Sequence, residues 1–300
     1  MGQTFLAIVN PAAGGGRNRK LLGPALERLK AGGIEVKVAT THRAGDASAI
    51  ARDAYSRGTR NFIAVGGDGT SYEVVNGLFP DAIGNEPPTL GFLPLGTGNS
   101  FLRDFSDKGV EYAIESILAG RTRPCDVLRL RHREGTIYFT NLLSMGFSAD
   151  VATLRARSFS SWGEVGYITA IFLTLARFNR RPFPMRVETD EAFDARKCLF
   201  LTFNNSKFTG GTMMIAPKAE INDGLIEYVR WGPIGRLGLI RNLPTLYDGT
   251  HINHPLAERK AVAKVDFDLK EPIDVMVDGE VLTLHCETMD VLPRALNVVA

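Results

Sequence analysis

The chain has 300 residues, 44% of them hydrophobic and 23% charged, with a formal net charge of +2 at pH 7. This composition is typical of a globular protein with room for two cores, and a charge so close to zero does not favour nucleic acid as a partner. Its three cysteines, Cys125, Cys198 and Cys286, lack metal-binding spacing, so we expect free thiols in a reducing cytoplasm. The longest apolar run, residues 167–175, is too short to cross a bilayer.

The pattern of residues 1–123 predicts alternating strands and helices. A continuous apolar strand at residues 5–9 is followed by apolar positions at helical spacing and then by a second strand at residues 34–39. Asp46 stands where it is expected to cap the next helix, and residues 110–118 form another amphipathic helix. We therefore expect a parallel sheet covered by helices on both faces.

The most informative stretch is the segment IAVGGDGT at residues 63–70, where an apolar strand runs directly into glycines. A helical pattern starts at once, which predicts a tight glycine turn between a buried strand and a helix N-terminus. Free backbone N–H groups and the helix dipole at such a turn form an anion site suited to phosphate. Asp68 repels phosphate, so we interpret it as acting beside a metal ion or near the transferred phosphoryl group. Thr70 is expected to be both the helix N-cap and a phosphate contact.

Two further strands end in loops of the same kind. The strand at residues 5–9 ends in NPAAGGG, residues 10–16, and the strand at residues 90–95 ends in GTGNS, residues 96–100. Because ligands bind at the carboxyl ends of strands in an open parallel sheet, three such loops predict a ligand site at one edge. The loops match neither the Walker A pattern nor the dinucleotide pattern G-x-G-x-x-G.

The character of the chain changes at residues 123–124. From there to about residue 285, short and often alternating strands separated by turns predict an antiparallel sandwich. Two helical insertions, at about residues 162–178 and 234–247, interrupt these strands.

These loops resemble the nucleotide-binding motifs of the diacylglycerol kinase catalytic domain, a family that includes bacterial soluble lipid kinases, sphingosine kinases and ceramide kinases. The resemblance rests on residues 10–14, 66–70 and 96–99. It continues through Thr41 with residues 45–47, FNN at 203–205, GGTM at 210–213, AP at 216–217, NDGL at 222–225 and VDGE at 277–280. GGDGT alone also occurs in NAD kinases and phosphofructokinases, whereas the whole set in this order is specific.

The resemblance implies an N-terminal NAD-kinase-like parallel α/β domain, a C-terminal antiparallel β-sandwich domain and an active site in the cleft. The nucleotide-binding domain is expected at residues 1–123 joined by 288–300, and the lipid-substrate domain at residues 124–287. ATP and Mg²⁺ are the implied cofactors, and the implied reaction moves the γ-phosphate to the hydroxyl of diacylglycerol or a related lipid alcohol. The residues expected to bind the nucleotide are Asn10, Pro11, Gly14, Thr41, Gly66, Gly67, Asp68, Gly69, Thr70, Ser71, Gly96, Thr97, Gly98 and Asn99.

Glu280 and Asp68 are the two catalytic candidates. Glu280 lies in a predicted hairpin turn, where the residues alone indicate a solvated glutamate. The resemblance instead implies that Glu280 is the general base, which requires its carboxylate within hydrogen-bond reach of the acceptor hydroxyl. Asp278 is the only other acid of that turn and is the fallback candidate.

A structural Mg²⁺ site is implied by the resemblance at Asp223, with Glu220 and Leu225. The alternative is an ordinary Asp-Gly turn between strands, and Lys218 stands where family members often carry aspartate. Asp126 and Arg103 either match a charged network of the family or form an ordinary ion pair between domains.

Several alternatives stay open at this point. A sphingoid-base or ceramide kinase is the nearest, because Ser100 replaces an aspartate that many bacterial members carry and that sphingosine kinases also lack. NAD kinase is an alternative of another class, opposed by the loops at residues 10–11 and 96–99, and a catalytically weak nucleotide- or lipid-binding regulator is a third.

The expected partner is a membrane lipid that the protein reaches from the bilayer surface. We expect a cytoplasmic protein that is peripheral to the inner face of the membrane. Whether it forms a homodimer stays open. The basic and aromatic residues around residues 167–175 form either a lipid-docking surface or the rim of a packed core helix.

Overall fold

The computed structural model describes residues 3–16, 18–95, 99–158, 169–170, 173–176, 180–188 and 190–300. Its helices are α1 (Asn18–Ala31), α2 (Asp46–Ser56), α3 (Asp68–Leu78), α4 (Val110–Leu118), α5 (Phe147–Ser158), α6 (Arg236–Asn242) and α7 (Thr245–Asp248). Short 3-10 turns lie at Ala13–Gly16, Phe101–Asp104 and Thr250–Asn253.

The strands of the first half are β1 (Thr4–Val9), β2 (Glu35–Thr40), β3 (Asn61–Gly66) and β4 (Thr89–Pro94). Those that follow are β5 (Thr122–His132), β6 (Gly135–Phe139), β7 (Leu142–Gly146), β8 (Arg181–Pro182), β9 (Met185–Val187), β10 (Lys197–Cys198), β11 (Phe200–Asn204), β12 (Phe208–Thr209) and β13 (Met213–Met214). The remaining strands are β14 (Ile226–Trp231), β15 (Ala257–Val262), β16 (Lys264–Phe267), β17 (Ile273–Val277), β18 (Glu280–Leu284) and β19 (Cys286–Val299).

The first four strands form a parallel sheet in the order β2-β1-β3-β4. Successive side chains of a strand point to opposite faces, so Phe5 and Ala7 pack in one core with α1 and α4 while Ile8 packs in another with α2 and α3. Both faces are therefore covered, as the near-continuous apolar runs of β1 and β3 predict. The carboxyl ends of β1, β3 and β4 all point to one edge, where the glycine loops follow.

The long strand β19 joins the two halves of the molecule. Its end pairs in parallel with β4 through Asn297 and Thr89, and most of its length pairs antiparallel with β5 and β16. The register shifts between Leu292 and Leu296, so the strand is irregular where it passes from one half to the other.

A second, antiparallel sheet has the order β15-β14-β11-β7-β17-β18. It packs against the β5, β6, β9 and β16 part of the first sheet, and Leu130, Met145, Phe203, Val265 and Met289 belong to the core between them. The architecture is thus a parallel α/β layer followed by an antiparallel sandwich, which confirms the predicted fold class. Of the two predicted helical insertions, α6 and α7 occupy the second, and most of residues 162–178 lies outside the described residues.

Candidate active site

A cavity of about 780 Å³ lies between the glycine-loop edge of the first sheet and the hairpin of β17 and β18. One end is lined by the loops after β1, β2 and β3, including Asn10, Pro11, Gly14, Thr41, Gly67, Asp68, Gly69 and Thr70. The other end is lined by apolar side chains, among them Leu142, Phe147, Val151, Phe200, Met213, Ile215, Leu239, Leu243, Leu246 and Met276. The cavity therefore has a polar end and an apolar end within one continuous space.

Asn10 ties the first loop to the glycine loop of α3. Its backbone N–H donates to the Val65 carbonyl at 3.0 Å, and its side-chain amide donates to the Thr70 hydroxyl at 3.4 Å. Its side-chain oxygen accepts from the Ala12 N–H at 3.0 Å, which holds the turn that follows β1. The first and second glycine loops are thus held at a fixed separation.

The start of α3 differs from the sequence expectation. Gly67 is the N-cap residue and α3 begins at Asp68, so Thr70 lies inside the first turn and the expectation that Thr70 is the N-cap is wrong. A Cβ on Gly66 would lie 2.2 Å from the Thr70 hydroxyl oxygen, so only glycine leaves room for that hydroxyl. The first N–H groups of a helix have no acceptor within the helix, and here they face the polar end of the cavity.

The loop after β2 is fixed by a glutamate that the sequence analysis did not identify as functional. The Glu73 carboxylate accepts from the backbone N–H groups of Gly45 and Ala47, at 3.0 and 3.1 Å. Gly45, rather than Asp46, is the N-cap of α2, and the Asp46 carboxylate instead accepts from the N–H groups of the preceding His42 and Arg43. Nothing local in the sequence pairs Glu73 with a loop 26 to 28 residues earlier.

Asp68 is half-buried in the cavity wall, beside the turn of the β17–β18 hairpin, where a Cβ on Gly279 would lie 3.7 Å from the Asp68 Cβ; this meeting point is called the junction. Burial raises the pKa of its carboxyl to about 6, and hydrogen bonds from Ser100 act in the opposite direction. The Ser100 N–H donates to it at 3.2 Å, so the loop after β4 contacts the glycine loop through this carboxylate. A carboxylate with this raised pKa beside helix N–H groups is the kind of group found at sites of charge transfer.

Glu280 lines the same cavity from the second half of the chain. Asp278 and Gly279 have φ values of 46° and 88°, the signature of a tight hairpin turn, and β18 starts at Glu280. A Cβ on Gly69 would lie only 2.1 Å from Glu280 Oε1, so the carboxylate rests directly on the glycine loop. Glu280 is exposed as a residue, and desolvation of its carboxylate against the glycine loop raises its pKa, with the charge of Glu73 adding to the rise.

Asp278 has a different role from Glu280. Its buried carboxylate accepts from the backbone N–H groups of Thr140, Asn141 and Leu142 at 2.9 to 3.1 Å. Burial raises its pKa to about 7, although these three N–H groups pull in the opposite direction. With its oxygens committed to the backbone, Asp278 anchors the hairpin that presents Glu280, which disfavours it as a replacement base.

The other predicted nucleotide residues lie close by. Gly66, Ser71 and Asn99 line a narrow crevice that shares Gly67 and Asp68 with the main cavity. Gly96, Thr97 and Gly98 lie outside the described residues.

The predicted metal residues lie apart from this cavity, in the turn before β14. Asp223 Oδ1 accepts from the Leu225 N–H at 2.9 Å, and burial together with the charges of Asp126 and Glu220 raises the pKa of Asp223. Among the described residues, no group of three or more histidine, cysteine or acidic side chains is arranged to hold a metal ion. The metal assignment stays a prediction.

Asp126 binds backbone N–H groups, whereas the two alternatives for it were a charged network with Arg103 and an ordinary ion pair between domains. Its carboxylate accepts from the N–H groups of Gly224 and Arg294, at 2.6 and 2.7 Å. Arg103 is exposed.

Helix N–H groups at the end of a parallel sheet, with two acids, Asp68 and Glu280, in the wall of one cavity, are the arrangement that phosphoryl transfer requires. Comparison with known proteins agrees. Residues 4–130 match the diacylglycerol kinase catalytic domain, and residues 141–300 match the YegS C-terminal NAD kinase beta sandwich-like domain. The chain therefore belongs to the diacylglycerol kinase family of lipid kinases.

Individual relatives cover nearly the whole chain. A Mycobacterium tuberculosis diacylglycerol kinase is 29% identical over 297 residues, which cover 97% of this chain and 93% of that protein. A Bacillus subtilis diacylglycerol kinase is 30% identical over 278 residues, 91% of this chain and 88% of that protein. A solved structure of a Bacillus anthracis diacylglycerol kinase covers 99% of this chain and 96% of its own with a TM-score of 0.74 at 20% identity, which supports the fold.

The family assignment confirms that the protein is an enzyme, a kinase that acts as a phosphotransferase, and it implies the use of ATP. Over the described part of the chain, no helix is long and apolar enough to cross a membrane.

Proposed function

We propose that the protein transfers the γ-phosphate of ATP to the hydroxyl of diacylglycerol or a related lipid alcohol. The observation that carries this proposal is the single cavity whose polar and apolar ends meet at Asp68 and Glu280. A nucleoside triphosphate suits the polar end of the cavity, and the acyl chains of a lipid suit the apolar end. The junction is then where a phosphoryl group and a lipid hydroxyl would meet.

At the polar end, the N–H groups at the start of α3 are aimed at the phosphates, as at other helix N-termini. Asn10 holds the loop after β1 against that helix, and Glu73 holds the loop after β2, so the phosphate-binding surface is preorganised. Preorganised donors are worth most where charge develops during the reaction.

Glu280 is the proposed general base. Its raised pKa and its position at the junction suit a carboxylate that accepts the proton of the acceptor hydroxyl as the oxygen attacks phosphorus. Asp278 fixes the turn, so the backbone of Glu280 is held beside the glycine loop.

Mg²⁺ is the proposed metal cofactor. Asp68 offers a hard carboxylate oxygen at the junction, where it accepts a hydrogen bond from the Ser100 N–H. When bound there, the ion would neutralise charge on the phosphates. Asp223, Glu220 and Leu225 form a second proposed site, supported by the like charges that raise the pKa of Asp223.

The test is a phosphotransfer assay with labelled ATP and Mg²⁺ against diacylglycerol, sphingoid bases, ceramide and NAD, with the lipids in mixed micelles. We expect labelled phosphatidic acid to be the main product. Labelled NADP, or a sphingoid or ceramide phosphate as the main product, would replace the diacylglycerol assignment. Nucleotide binding without any labelled product would favour a regulatory protein.

The lipid is proposed to be taken from the surface of a membrane by a protein peripheral to its inner face. A homodimer is compatible with this proposal, and measurement of the solution mass tests it directly.

A further inference from the structure

Helix α6 carries apolar side chains on two opposite sides. Leu239 is buried and lines the cavity, as does Leu243 one turn later. Leu237 is 83% exposed and Ile240 is 47% exposed, on the side that faces away from the cavity. A surface helix of a globular protein normally has a polar outer face. The exposed leucine and isoleucine on the outer face therefore predict that this face binds a partner or a membrane.

Two arginines flank this outer face. At 3.6 residues per turn, Leu237 and Ile240 lie side by side, with Arg236 on one flank and Arg241 on the other. Tyr247 on α7 is 52% exposed and follows directly in the chain. These five residues are called the α6 patch.

The charge of helix α6 is of one sign. It contains two charged residues, Arg236 and Arg241, and no acid, and the exposed Asp248 follows at the end of α7. The Arg236 guanidinium donates to the Ala176 carbonyl at 2.6 Å, so its side chain is held along the protein surface, and Arg241 is exposed. Basic side chains around an apolar stripe, with a tyrosine beside it, are typical of helices that lie on anionic membranes.

The patch is continuous with the lipid end of the cavity. The inner side of the same short helix contributes Leu239 to the cavity wall, and Leu246 of α7 lines the cavity while its neighbour Tyr247 is exposed. A lipid that leaves a bilayer beside α6 would thus pass from one apolar surface to another across a single helix. This short path keeps the acyl chains out of water.

We propose that the α6 patch docks the protein on anionic bilayers and that the lipid substrate enters the cavity beside α6. This inference rests on the proposed function for its second half. The docking itself is a binding property of the exposed surface and is measurable without any kinase activity.

The first experiment measures sedimentation of the full chain with vesicles of phosphatidylcholine, with and without phosphatidylglycerol. The variant combines Leu237→Ser with Ile240→Ser, neither of which lines the cavity. We expect the partition coefficient to fall by about tenfold for each side chain, since each then loses part of its transfer into lipid. The matched control combines Val38→Ser with Ile83→Ser, which are 49% and 39% exposed on the first domain, and it should bind like the wild type.

The second experiment tests the charge. Arg241→Gln should weaken binding to phosphatidylglycerol vesicles by about fivefold and leave binding to pure phosphatidylcholine vesicles unchanged. An equal effect on both vesicle types would overturn the electrostatic part of the proposal.

One result would overturn docking: wild-type vesicle binding by the Leu237→Ser/Ile240→Ser variant. If the same variant also changes from dimer to monomer in solution, the patch is an interface between two copies of the chain.

Lipid entry is tested separately with two substrates. The same double variant should phosphorylate a water-soluble short-chain diacylglycerol at the wild-type rate and lose activity on long-chain diacylglycerol in anionic vesicles. Loss on both substrates would overturn the entry route. Absence of lipid phosphorylation by the wild type, with vesicle binding that still depends on Leu237 and Ile240, would refute the proposed function and leave docking supported.

Discussion

Gly69→Ala separates the stability of this protein from its catalysis. Gly69 is in the first turn of α3 and its φ is not in the left-handed region, so alanine fits the backbone there. Replacing a helical glycine by alanine stabilises a protein by up to about 1 kcal/mol. The added Cβ would, however, lie 2.1 Å from Glu280 Oε1 and 3.2 Å from its carboxyl carbon.

The clash has a definite size. Carbon–oxygen contacts require more than about 3 Å, so the Glu280 oxygen must move by about 1 Å or more. The end of a glutamate side chain moves at little expense in stability. A misplacement of about 1 Å can lower a rate by about 100-fold when the group takes part in the chemistry. We therefore expect an unchanged or higher melting temperature together with a kcat about 100-fold lower.

The assay combines thermal unfolding, ATP binding by calorimetry and labelled phosphate transfer to diacylglycerol. Gly23→Ala is the matched control, because Gly23 is also helical, in α1, and a Cβ there has nothing within 4 Å. Because Gly23 precedes Pro24, alanine is not expected to stabilise the helix there, and the control should fold and keep its kcat. A folded Gly69→Ala protein with wild-type kcat would refute the placement of Glu280 in the reaction. A kcat loss that is matched by lost ATP binding would point to the nucleotide instead.

Three further predictions concern the acids at the junction. Glu280→Gln should lower kcat strongly and leave ATP affinity nearly unchanged. Glu280→Asp should also lose most activity, because its carboxylate is drawn back by one methylene. Both are measured with labelled ATP, and wild-type turnover in both variants would contradict the base assignment. Asp68→Asn should fold and lose orders of magnitude in turnover, and near-normal activity in the same assay would remove its role on the metal side. The pKa of Asp68 is raised from 3.8 to about 6 in the folded protein. Between these values the folded wild type holds a proton that the unfolded chain has released. The free energy of unfolding of the wild type should therefore fall, relative to that of Asp68→Asn, as the pH rises through this range. Urea unfolding of both proteins at several pH values measures this difference, and a difference that does not change with pH would contradict the raised pKa of Asp68.

Local pattern was enough to predict the polar end of the site. A strand that stops at glycines before a helix can be recognised within ten residues, and parallel strands place such ends together without further information. For this reason Asn10, Gly67 and Asp68 were identified and do line one cavity. Their contact with ATP stays a prediction.

Local pattern failed where a side chain is held by distant backbone. The three N–H groups that hold Asp278 come from residues 136 to 138 positions earlier, and a turn aspartate has no local signal for such a contact. The position of Glu280 against Gly69 depends on the same packing. Thr70 was misplaced for a different reason, because glycine at position 67 takes the N-cap and moves the start of the helix ahead of the threonine.

The shared strand β19 has a consequence for how the protein is made. Arg129 of β5 and Asp290 of β19 pair although they are 161 residues apart, and Asn297 closes the outer side of β4. Synthesis proceeds at about 5–20 residues per second, so the nascent first half waits many seconds with β4 unpaired while the second half is translated. An unpaired strand edge of this kind invites association with other chains. The nascent first half should therefore depend on chaperones at the ribosome until residues 286–299 have emerged.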